Sequence, residues 1–125
     1  MGNYFPVSSP ATNYQFTAAS PVTGGDPLEF TGTGTGDGQV QRAAAGSRYA
    51  GIASADTAPG HALAVYVGND VFYGPAEGTV TAGDQLAASA VPGRQVKTAT
   101  PGAQVIGEAF GSAADGAQVH WIQRA

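Results

Sequence analysis

Val22-Thr23-Gly24-Gly25-Asp26-Pro27-Leu28 is written a second time as Val80-Thr81-Ala82-Gly83-Asp84-Gln85-Leu86, with five of seven positions identical. Moving the offset from 58 to 56 residues aligns residues 39–60 with residues 95–116. Gln39, Val40, Ala43, Gly46, Gly51, Ala53, Ala58 and Gly60 then each meet an identical residue. The matches fall on the Gly and Val positions that shape a backbone. They define two copies of one small β unit, about 22–67 and 80–122, and an internal repeat of this kind takes precedence over local readings of fold. The alignment predicts Asp26 superposed on Asp84 and Gly51 on Gly107.

Working outward, 19 glycines and 8 prolines leave no uninterrupted helical period in the 125 residues. Ala43-Ala44-Ala45 and Ala87-Ala88 have helical propensity, but each run is short and closed by Gly or Pro. Period-two alternation marks strands at residues 14–16, 28–30, 63–67, 71–73, 96–98 and 119–122. Residues 105–110 and 118–123 read as a hairpin, whose counterpart is 49–53 and 63–67. Many short strands at regular spacing indicate a sandwich or barrel. The expected fold is all-β: a small pseudo-twofold β-barrel built from two units, neither of which buries its apolar face alone. Gly32-Thr33-Gly34-Thr35-Gly36-Asp37-Gly38 is replaced by the shorter Ser89-Ala90-Val91-Pro92-Gly93, which marks an exposed loop.

Residues 1–13 carry Pro6 and Pro10 among polar neighbours, and proline holds such a chain extended. They read as an arm outside a barrel occupying residues 14–125. Tyr4, Phe5 and Val7 give the arm an apolar tip suited to strand addition on a neighbour. A frayed terminus is the plainer reading of the same residues.

Composition narrows the function. Apolar residues make up 42% of the chain, but 24 of them are Ala, so the core is thin and further burial against neighbours is expected. Five basic residues are scattered, and the net charge is −4, which argues against nucleic acid as a partner. No apolar run approaches the roughly 20 residues that span a bilayer, and residues 1–6 lack the pattern of a signal peptide. With no cysteine there is no disulfide framework or thiol chemistry.

No catalytic assembly emerges. Asp26 and Asp84 could form a carboxylate pair, but Gly-Asp before a strand is ordinarily turn chemistry, with the carboxylate bonding nearby backbone N–H groups. His61 and His120 are not equivalent in the repeat and have no ligand cluster around them, so no metal or cofactor is expected. No Gly-x-Ser-x-Gly elbow accompanies the Ser, His and Asp residues. The glycine run at 32–38 lacks the Lys-Ser/Thr of a phosphate loop. Trp121 beside Ile122, together with Phe110, could anchor a contact between subunits. A core tryptophan is the commoner role.

The second copy runs Val80-Thr81-Ala82-Gly83-Asp84-Gln85-Leu86, Gln95-Val96-Lys97, Val105-Ile106-Gly107-Glu108-Ala109 and Gly116-Ala117-Gln118-Val119. This rhythm resembles the head-decoration, or capsid cement, proteins of tailed bacteriophages, over roughly residues 22–122. The resemblance implies a compact β-barrel or β-tulip domain and a non-enzymatic virion protein on the outer surface of the capsid. Its partners would be the major capsid protein and itself, as a homotrimer, and its role would be to stabilise contacts between capsid subunits. The contact residues then expected are Tyr4, Phe5, Val7, Phe110, Trp121 and Ile122. The competing reading is a carbohydrate- or ligand-binding module using Tyr4, Tyr14, Tyr49, Tyr66 and Tyr73 as stacking platforms. A trimeric enzyme with active sites between chains is opposed by the scarcity of charge.

Overall fold

Alternation of inward apolar and outward polar side chains, interrupted by Gly-Asp and Pro-Gly turns, produces ten short strands. The computed structural model describes residues 3–4, 6–7, 13–31, 38–44 and 48–124. The strands are β1 (Asn13–Ala18), β2 (Pro27–Phe30), β3 (Gln39–Arg42), β4 (Tyr49–Ala53), β5 (Ala62–Tyr66), β6 (Val71–Pro75), β7 (Gln85–Ala88), β8 (Val96–Thr98), β9 (Gly107–Ala109) and β10 (Gln118–Gln123). No helix occurs among the described residues. Phe5 and residues 32–37 of the glycine loop lie outside them.

β1 to β5 close a barrel in the order β1-β3-β2-β4-β5, and β6 to β10 form a second sheet in the order β6-β10-β9-β7-β8. Strand by strand, the neighbour relations are the same. Ala18 faces Val40 in the parallel β1–β3 pair, and a parallel bridge joins Ala76 to Val96 at the matching place. Val22 bridges Thr57, and Val80 bridges Ala113. Asp26 and Asp84 close identical turns, with Thr23 N–H and Thr81 N–H each donating to the carboxylate at 2.9 Å. The small-barrel reading of the sequence holds, with one addition. Each repeat forms a sheet of its own because its first strand pairs with its own last one, β1 with β5 and β6 with β10.

Gly51 and Gly107 occupy one position in the two units and serve one purpose. A Cβ on Gly51 would stand 2.3 Å from Tyr66 O, and one on Gly107 would stand 2.2 Å from Ile122 O. Only glycine lets the strands approach this closely.

The interior divides unequally. Ala18, Val22, Leu28, Val40, Ala53, Leu63 and Val65 fill the first barrel. The second core, built on Phe72, Val80, Leu86, Val96, Ile106, Val119 and Trp121, also takes in Ala43, Ile52 and Tyr66 from the first unit. Ile52 and Tyr66 stand next to Ala53 and Val65, which line the first barrel, so the outer wall of that barrel completes the core of the second unit. The units are therefore interdependent through packing.

Candidate functional site

Two regions concentrate side chains that the fold itself does not explain: the seam between the units and the outer face of the second sheet.

At the seam, aromatic rings run in a chain. Tyr4 stacks on Phe72 at 6.0 Å between centroids, and Phe72 meets Tyr66 at 6.0 Å and Trp121 at 5.2 Å. The buried amides of Gln95 and Gln123 beside them are bonded at both ends, as burial requires. Gln95 Oε1 accepts the indole N–H of Trp121 at 2.8 Å, while its Nε2 donates to Gly25 O at 2.9 Å and Tyr4 Oη at 3.2 Å. Gln123 Nε2 donates to Tyr66 O at 3.1 Å and Gly68 O at 2.7 Å, and its Oε1 accepts the Tyr49 hydroxyl. Arg42 of the first unit pairs with Asp26 at 2.6 Å and donates to Val91 O and Arg94 O of the second. Beside these residues lies a cleft of about 370 Å³, walled by Pro21, Pro75, Pro92, Tyr4 and Arg94.

The electrostatics are those of a joint. Burial raises the phenol pKa of Tyr4 and of Tyr66, and raises that of Tyr49 well above its ordinary value. The Asp84 carboxyl is held below its ordinary value by the Thr81 backbone N–H and then by the Thr98 hydroxyl. In the first unit, Arg42 stands where the second has Thr98, so Asp26 carries an ion pair where Asp84 carries a neutral hydrogen bond. Both recurring aspartates are turn residues. Among the described residues, no group of three or more His, Cys, Asp or Glu could hold a metal ion.

The residues expected to touch neighbours have separate fates. Tyr4 is bound within its own chain, its N–H donating to Ser54 O at 2.6 Å and its hydroxyl to Tyr73 O at 3.2 Å. Val7 N–H donates to Val71 O at 2.7 Å, while its side chain is exposed. The described part of the arm thus straps the two units together. Trp121 is fully buried and has no surface left for a neighbour. Phe110 is exposed and Ile122 half-buried on the outer face. Of the five tyrosines considered as stacking platforms, only Tyr14 and Tyr73 are exposed.

Sequence reading overlooked Gln95, Gln123 and Arg42, because isolated polar residues in short strands look like surface. One signal was present. Gly74 occupies the position of Phe16 in the first unit, and a Cβ there would stand 2.0 Å from Gln95 Oε1, so this glycine opens the space that Gln95 fills.

No protein-family model matches the chain, and no curated protein matches it. Among solved structures, it is similar to the head fiber gp8.5 N base in bacteriophage phi29. The TM-score is 0.69 at 18% identity, covering 90% of this chain and 93% of that one. At this identity the likeness establishes a shared fold.

Proposed function

We propose that the chain is a structural component of a bacteriophage virion that binds the outer surface of the head and stabilises contacts between major capsid subunits. The observation that carries this reading is the correspondence in fold with the phi29 head fiber base, which spans nearly the whole of both chains. It agrees with the resemblance to decoration proteins in the Gly-Asp turns and terminal hairpins. The use of Asp26 and Asp84 as turn residues supports a role without catalysis. An Ala-rich composition favours burial against neighbours, and a trimer is the assembly this reading carries.

The test is to mix purified protein with expanded heads of the encoding phage assembled without it. Saturable binding at a fixed ratio to the capsid subunit, with heads that then resist heat or chaotrope better, is the expected result. Heads that neither bind the protein nor gain stability would overturn the proposal.

A further inference from the structure

The duplicated units serve as controls for each other: a residue that one unit does without is not required by the fold. Gln15 faces Ala64 across β1 and β5, and their counterparts across β6 and β10 are Tyr73 and His120. Ser54 N–H donates to Ala64 O at 3.1 Å, and at the matching point Phe110 N–H donates to His120 O at 2.8 Å. A polar and small-residue row in one unit is thus an aromatic row in the other. Tyr73 and His120 stack at 4.1 Å, and Tyr73 and Phe110 are 46% and 54% exposed. Half-buried Val71 and Ile122 extend the row. Contiguous exposed apolar surface of this kind marks interaction sites.

The backbone makes the same point. In the first unit, Ser54 O accepts the N–H of Tyr4, and Asn3 forms an antiparallel bridge with Ala55, so an extended segment is seated there. The counterparts of Ser54 and Ala55 are Phe110 and Gly111. Among the described residues, Phe110 O accepts no hydrogen bond and Ser112 N–H donates none. A Cβ on Gly111 would meet nothing within 4 Å, so the edge is open to an approaching backbone.

From the paired acceptor and donor and the adjoining aromatic row, we infer that residues 110–112 form a second strand-accepting edge, which takes an extended segment of a capsid subunit. This inference rests on the virion reading above. The incoming segment donates an N–H to Phe110 O and accepts from Ser112 N–H, while its alternate apolar side chains lie on Phe110, His120 and Tyr73. Asn3 and Tyr4 show the mode of seating. They are not the occupant, because they are already held by Ser54, Ala55 and the seam.

The experiment measures co-sedimentation with undecorated heads for wild type, Phe110→Ala, the Tyr73→Ala/Phe110→Ala pair, and Gln15→Ala as the control from the first unit. Binding weaker by about tenfold or more is expected for the aromatic variants, as for buried aromatic anchors generally, with Gln15→Ala unchanged. Hydrogen exchange at the Ser112 amide of wild type should also slow on the head, a readout that needs no variant. If wild type binds but the aromatic variants bind equally well and Ser112 stays unprotected, the edge assignment is wrong and the virion reading stands. Wild type that fails to bind heads overturns both. Concentration-dependent dimers abolished by Phe110→Ala would instead assign the edge to a second copy of the chain.

Discussion

The indole N–H of Trp121 and the carboxamide of Gln95 meet at 2.8 Å in the interior of the second unit, and the same carboxamide reaches Gly25 O of the first unit at 2.9 Å. One side chain therefore joins a core tryptophan to the turn that opens the other repeat. Gln95→Ala leaves a buried indole N–H without its partner and the Gly25 carbonyl without this bond. The expected loss is about 2–6 kcal/mol, from roughly 1–3 kcal/mol for each of the two orphaned groups. Gly74→Ala drives a methyl into the same carboxamide and should cost a comparable amount. The double variant should lose less than the sum, because removing Gln95 empties the space that the methyl needs. Urea unfolding of the four proteins of this cycle checks it.

Gly107→Ala should be far worse than Gly111→Ala. The first places Cβ 2.2 Å from a backbone oxygen and against the Trp121 ring, whereas the second meets nothing. Overpacking that the backbone cannot relieve exceeds the usual range of about 1–3 kcal/mol. Soluble yield and thermal midpoint should separate the two variants clearly.

Arg42→Met keeps the aliphatic stem and removes the hydrogen bonds to Asp26, Val91 and Arg94. A loss of about 3 kcal/mol is expected, the low end for removing one partner of a buried ion pair, because both side chains keep some exposure. The local sign is more specific: amide exchange across residues 89–94 should accelerate, because Arg42 ties that loop to the first unit. Arg42→Lys should not restore the effect, since one ammonium cannot reproduce the planar fork.

Stability should fall at both ends of the pH range for different reasons. The Asp84 carboxyl is depressed by its hydrogen bonds, so its contribution is present above the unfolded value of about 3.9 and is lost as pH falls through the folded one. Tyr4, Tyr49 and Tyr66 are raised by burial, so their contribution is present below about pH 10 and is lost as pH rises through their folded values. Asp84→Asn should flatten the acid limb only. Tyrosinate absorbance should show a fraction of the phenols ionising together with alkaline unfolding.

Tyr4→Ala probes the strap. The side chain stacks on Phe72 and its hydroxyl joins Tyr73 O and Gln95, so truncation should cost about 3 kcal/mol or more, in the range of buried aromatic deletions. An isolated loss of head binding with unchanged thermal unfolding would show that the segment serves a neighbour instead.

Whatever is settled within a few residues is legible in the chain alone. Val-Thr-x-Gly-Asp-x-Leu fixes the same turn twice, because a carboxylate three residues on reaches the Thr N–H whatever surrounds it. Gly51 and Gly107 were legible for a similar reason, since a close strand crossing excludes a side chain in either copy. β7 was less legible: Gln85-Leu86-Ala87-Ala88 has no β-branched residue, and only pairing with β8 and β9 makes it a strand.

Gln39 and Gln95 are identical residues at equivalent places in the repeat, yet long-range packing gives them opposite environments. Gln39 is exposed at the start of β3, while Gln95 is 2% exposed and bonded on both ends of its amide. Nothing local distinguishes them. The difference arises because the outer wall of the first barrel is pressed against the second unit, whereas among the described residues the first core takes in no side chain from the second. Gly74 in place of Phe16 admits the carboxamide, and burial then obliges every one of its polar atoms to find a partner. Which copy of a duplicated sequence becomes interior is a property of how the copies stack, and that depends on contacts far apart in the chain.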